Sequence, residues 1–134
     1  FDADPVRTAE VAAELGAVAA TRPVDLAGVD VVVTMLPTSA IVRAALLGWD
    51  DGVTAHLAPG AVVVDMSSSR PTETVDLGRE LAAAGVALVD APVSGGVARA
   101  AAGTLSIMLG GDDEAAIDRA SVVVGWMSER IFRT

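Results

Sequence analysis

The run Val29-Asp30-Val31-Val32-Val33-Thr34-Met35-Leu36 admits few folds. Its β-branched residues favour a pleated strand, and with so little polar alternation that strand is expected to be buried on both faces, as in a parallel sheet. Pro37 ends the run, and Thr38 or Ser39 caps a helix reaching about Leu47, before Gly48. The same progression then repeats. A strand over 61–66 leads through the hydroxyl-rich Ser67-Ser68-Ser69 into a helix over 71–84 that Gly85 terminates, and a strand over 86–90 follows. Further on, the pattern predicts a helix over 97–102, a strand over 104–109, a turn at Gly110-Gly111-Asp112-Asp113, a helix over 114–124 and a strand over 130–133.

Upstream, Asp4-Pro5 is a helix start with Asp as N-cap and Pro at N1, and Gly16 closes that helix. A short strand is expected over 18–20, and Asp50-Asp51-Gly52 is a turn signal. Strands alternating with helices predict an α/β fold, doubly wound around a mostly parallel sheet, in one domain of 134 residues.

Composition excludes several functions. A net charge of −9 with nine scattered basic residues argues against a duplex-binding surface. No Cys is present, so disulfides and thiolate metal sites are excluded, and nothing near His56, the sole histidine, suggests a triad or a metal. No apolar run approaches the length of a spanning helix, and no leader pattern is evident, so a soluble, cytoplasmic chain without membrane or nucleic-acid partners is expected.

In open α/β sheets ligands bind beyond the carboxyl ends of the strands. The segment Asp90-Ala91-Pro92-Val93-Ser94-Gly95-Gly96 is placed there and reads as a binding loop. Gly95 and Gly96 permit a sharp turn whose free N–H groups form a nest, and the Ser94 hydroxyl adds a donor, so the loop suits a carboxylate or phosphate. Leu36 and Pro37 either pack against a nucleotide or simply stop a strand. Ser68 either donates to a ligand or caps the next helix. Asp2 stands where a dinucleotide fold places its ribose acid, or is a second capping acid beside Asp4. A carboxylate there favours NAD over NADP, with Arg7 the nearby cation. Asp65 and Asp90 end strands and are read as ordering the loops that follow them, with no catalytic role.

These motifs converge. Val64-Asp65-Met66-Ser67-Ser68 and the Asp90-to-Gly96 loop, followed by Ala100, Gly103-Thr104-Leu105 and Gly110-Gly111, make the chain resemble the β-hydroxyacid dehydrogenases, the 3-hydroxyisobutyrate dehydrogenase-like family. The resemblance implies a Rossmann domain binding NAD or NADP, and hydride transfer between a small 3-hydroxy acid and its aldehyde acid. It implies that Asp2, Leu36, Pro37 and Ser68 line the cofactor, and that Ser94, Gly95 and Gly96 hold the substrate carboxylate. It implies no metal, and a homo-oligomeric parent.

The family's first strand with its glycine-rich turn, its catalytic lysine and its helical second domain have no counterpart in these residues. The expectation is therefore an incomplete nucleotide domain without a catalytic residue of its own. In isolation it is expected to fold poorly and to bind no dinucleotide measurably, because the edge of the Val29-to-Leu36 strand would lie open. A non-catalytic binding or scaffold module on the same fold is the alternative, and an imine reductase is a third, less consistent with the Ser-Gly-Gly loop.

Overall fold

A computed structural model describes residues 1–49 and 52–134. Asp50 and Asp51 of the expected turn lie outside the described residues.

Helix α1 (Pro5–Leu15) starts as its sequence dictates: the Asp4 carboxylate accepts from the amides of Val6 and Arg7, and Gly16 closes the helix at φ 64°. Strand β1 (Val31–Thr34) leads to α2 (Ser39–Leu47), whose N-cap is Thr38. Strand β2 (Val62–Asp65), helix α3 (Pro71–Ala83) and strand β3 (Ala87–Asp90) follow. The chain then forms β4 (Val93–Ser94), α4 (Gly96–Ala101), β5 (Ser106–Leu109), α5 (Glu114–Gly125) and β6 (Arg130–Arg133).

Strands β1, β2 and β3 form a parallel sheet in that order, with Thr34, Asp65 and Asp90 in register at its carboxyl end. Strand β2 explains its own sequence. Val62 and Val64 pack with Ile117, Ala120 and Val124 of α5 on one face, while Val63 packs with Val42 and Leu46 of α2 and Leu77 and Leu81 of α3 on the other. Helices thus cover both faces, and the three valines are at most 1% exposed. Each such burial contributes about 1.5–3 kcal/mol.

Three expectations need correcting. The Val29-to-Leu36 run is not buried on both faces throughout: Val33 is 39% and Met35 59% exposed. Strand β1 is the outer strand of its sheet among the described residues, so cover is complete only at its neighbour. Among the described residues no strand pairs with residues 18–20, and Val18 is 93% exposed. The segment after Asp90 is not wholly loop. Val93 and Ser94 pair antiparallel with Ile107 and Ser106, and β5 pairs in parallel with β6. The two sheets join where Asp90 and Gly110 exchange both backbone hydrogen bonds at 2.9 Å. No helix among the described residues is long and apolar enough to cross a membrane.

At the opposite end of the sheet, the Arg119 guanidinium of α5 donates to the carbonyls of Gly60 at 2.6 Å and Asp30 at 3.0 Å. It clamps the entries to β2 and β1 onto one helix. Arg119→Ala is expected to cost about 1–2 kcal/mol, the value of charged hydrogen bonds discounted for exposure. The urea midpoint would show it, with dinucleotide affinity unchanged.

Candidate functional site

The parallel register brings three connections to one rim of the sheet. Strand β1 runs out into Leu36-Pro37, β2 into Ser67-Ser68-Ser69, and β3 into the segment ending at Gly96. Leu36, Pro37 and Ser68, predicted from sequence, therefore follow neighbouring strand ends on that rim, while Ser94, Gly95 and Gly96 lie further along the chain, at the end of β4 in the second sheet. Asp2 is held elsewhere, at the mouth of α1. Its amide donates to the Thr8 hydroxyl and its carboxylate accepts from the Asp4 amide, both at 2.9 Å. With Arg7, Thr8 and Val18 it lines a separate shallow cleft. Its geometry is thus compatible with both readings of it, since the Asp4 contact is a capping contact and engages a single carboxylate oxygen.

The serine triplet alternates. Ser67 is 2% exposed and Ser69 half-buried, while Ser68 between them faces solvent. Asp65 takes a hydrogen bond from the Ser67 amide at 3.1 Å, so this strand-end acid orders the following loop as expected. It also accepts from the Thr34 hydroxyl at 2.8 Å and the Ser69 hydroxyl at 3.0 Å. The Ser67 hydroxyl in turn accepts from the Leu36 amide at 2.9 Å. Thr34 carries no sequence signal, and Ser67 and Ser69 enter the sequence reading only as members of the serine triplet. The only available signal was a hydroxyl run beside an Asp, which also describes an ordinary helix cap.

The Ser94-Gly95-Gly96 segment is exposed and leaves β4 through two glycines in the left-handed half of φ, Gly95 at 140° and Gly96 at 68°. Few other residues tolerate such values. Gly96 begins α4, so the amides that follow have no acceptor inside the helix. A Cβ on Gly95 would come within 2.6 Å of Cδ and 2.8 Å of Cβ of Arg99. The arginine stem thus lies directly against the loop and brings a cation to its neighbourhood, a feature that sequence reading missed because Arg99 carries no motif. Every basic residue of the chain is an arginine, which holds its proton and serves as no general base. His56 sits on a single 3₁₀ turn (Val53–His56) in the connection before β2, at the far end of the sheet from this rim.

Burial, and secondarily the neighbouring Asp65 carboxylate, push the Asp90 carboxyl above the ordinary value of 3.8. A raised acid pKa means that the folded state binds its proton more tightly than the unfolded chain does. Stability is then lost as pH rises from the unfolded to the folded pKa, and stays lost above it. Asp90→Asn is accordingly expected to be more stable than wild type at neutral pH, with the difference vanishing below the ordinary carboxylate range. Urea midpoints at the two pH values test this, and a less stable variant at neutral pH contradicts it.

A family model described as the NAD binding domain of 6-phosphogluconate dehydrogenase matches residues 1–134. The NAD-dependent L-serine dehydrogenase of Pseudomonas aeruginosa is 46% identical over 105 residues, which are 78% of this chain and 35% of that protein. The 3-hydroxyisobutyrate dehydrogenase of the same organism is 42% identical over 105 residues, again 78% of this chain and 35% of the relative. The chain therefore spans about a third of the length of these curated relatives. The Mycobacterium tuberculosis 3-hydroxyisobutyrate dehydrogenase, solved with L-serine, superposes with a TM-score of 0.81 at 38% identity, covering 97% of this chain and 44% of that one. The architecture is Rossmann-like.

Proposed function

The chain belongs to the family of the NAD binding domain of 6-phosphogluconate dehydrogenase, and from that premise we propose that residues 1–134 form the nucleotide-binding part of an NAD(P)-dependent dehydrogenase acting on a small 3-hydroxy acid or its aldehyde acid. The observation that carries this reading is the carboxyl end of the parallel sheet, where the Leu36-Pro37 corner and exposed Ser68 follow adjacent strands β1 and β2, and where the chain leaving β3 runs on through β4 to the Ser94-Gly95-Gly96 turn.

Leu36 and Pro37 would pack against the cofactor, and Ser68 would donate to it. The exposed Asp2 carboxylate suits a ribose hydroxyl and disfavours a 2′-phosphate, so NAD is the favoured cofactor over NADP. When bound, the nicotinamide supplies the hydride acceptor or donor. Ser94 and the amides at the start of α4 would fix the substrate carboxylate, and orientation of the substrate carbon follows from that anchor. The substrate hydroxyl proton is assigned, as the family resemblance implies, to a lysine that has no counterpart among these residues. The small carboxylate is the proposed partner, and a homo-oligomer the proposed assembly of the whole protein.

Ser94→Ala in the full-length protein removes a hydrogen bond to a charged group, worth roughly 1.5–3 kcal/mol, so KM for the acid is expected to rise about 10- to 100-fold. An unchanged KM refutes the role given to Ser94. A second reading, favoured by the lack of any lysine in these residues, is a binding module without catalysis. Dinucleotide binding with no turnover of any hydroxy acid by the full-length protein would establish it.

A further inference from the structure

Asp65 is 1% exposed, and its partners are three hydrogen-bond donors rather than a cation. Burying a carboxylate without a counter-charge is unfavourable. The preceding positions of β2 are all valine, and an apolar side chain at position 65 would meet the needs of packing at lower desolvation cost. A carboxylate here is better explained by direction than by cohesion.

We propose that Asp65 is a positioning residue for the dinucleotide, holding two of the connections on the rim at a fixed spacing. Its Oδ1 accepts from the Thr34 hydroxyl, at the end of β1, and from the Ser67 amide. Ser67, so oriented, receives the Leu36 amide on its own hydroxyl and thereby ties the Leu36-Pro37 corner to the serine triplet. Oδ2 takes the Ser69 hydroxyl, so both residues flanking Ser68 are anchored to one carboxylate while Ser68 faces outward. The link from β1 to the β2 loop is repeated outside the carboxylate: the Met66 amide donates to the Thr34 carbonyl at 2.8 Å, and the Arg70 amide to the Ser39 hydroxyl at 3.0 Å. The Ser67 hydroxyl is the one contact of this set that reaches the Leu36 amide. Side chains locked this way pre-organise a binding surface and spare the ligand the cost of ordering it.

This inference rests on the reading that the protein binds NAD or NADP. The test is titration of full-length wild type and the Asp65→Asn, Asp65→Leu and Ser67→Ala variants with NADH and NADPH, followed by nicotinamide fluorescence, beside a thermal melt of each. Asparagine keeps an acceptor for Thr34 and the Ser67 amide and is expected to stay within about threefold of wild type, a rescue consistent with one altered hydrogen bond. Asp65→Leu and Ser67→Ala are each expected to weaken Kd about tenfold, the equivalent of about 1.4 kcal/mol. Ser67→Ala retains every contact of Asp65, so its melt should stay close to that of wild type, and it decides the matter if Asp65→Leu fails to fold. Wild-type affinity in Ser67→Ala overturns the proposal, as does an Asparagine variant as weak as the leucine one. Wild type that binds neither dinucleotide refutes instead the underlying reading of the protein.

Discussion

Gly95→Val in the full-length protein is expected to raise KM for the hydroxy acid about a hundredfold or more, with dinucleotide affinity nearly unchanged. Two costs combine at this position. Gly95 sits at φ 140°, where a β-branched residue is strained by about 1–3 kcal/mol. The new side chain would also have to displace the Arg99 stem, since a Cβ alone reaches within 2.6–2.8 Å of it. Overpacking of this kind adds about 1–3 kcal/mol. Both are relieved most readily by opening the loop between β4 and α4, which moves Ser94 and the following amides off the carboxylate. The Leu36-Pro37 corner and Ser68 belong to other strands and are left in place. Equal losses of acid and dinucleotide affinity would mean that the loop serves the cofactor instead.

Ile107→Ala is expected to produce the largest loss of stability and to reach the same loop from beneath. Ile107 is fully buried in the core shared by β2, β3, β5 and α5, and it stands opposite Val93 in the antiparallel pair that carries Ser94. Removing its branched side chain costs about 2–5 kcal/mol, through lost transfer energy and the cavity left behind. That is a large part of the roughly 5–15 kcal/mol available to a domain. The urea midpoint should fall accordingly, and KM for the acid should rise under conditions where the variant is still folded, because β4 loses its support. A stability loss below about 1 kcal/mol would contradict the placement of Ile107 at the centre of that core.

Much of this site was legible because its signals are local. Asp4-Pro5 announces a cap and a first turn within four residues, and the structure uses both. Pro37 and the polar residues after it mark the end of a strand, and Gly95-Gly96 mark a turn that needs positive φ. The contacts that assemble the rim are not local. Thr34 reaches Asp65 across 31 positions, as does Leu36 reaching Ser67, and nothing in either segment names the other. Strand β4 was illegible for a related reason: two residues form too short a run to show a period, and their pairing depends on Ser106 and Ile107 lying alongside. The valine run of β1 predicts full burial because its composition resembles that of β2. Composition does not reveal which strand is outermost.

The most direct measurement is reduction of NAD⁺ or NADP⁺ by purified full-length protein, comparing a small 3-hydroxy acid with the alcohol of the same skeleton that lacks the carboxylate. The Ser94-Gly95-Gly96 anchor predicts turnover of the acid, with kcat/KM for the alcohol lower by at least about tenfold, the least that losing a charge-assisted anchor should cost. Ser94→Ala should narrow that difference by raising KM for the acid alone. Equal turnover of acid and alcohol, or a wild-type preference that Ser94→Ala leaves untouched, would contradict the assignment of the Ser94-Gly95-Gly96 loop to the substrate carboxylate.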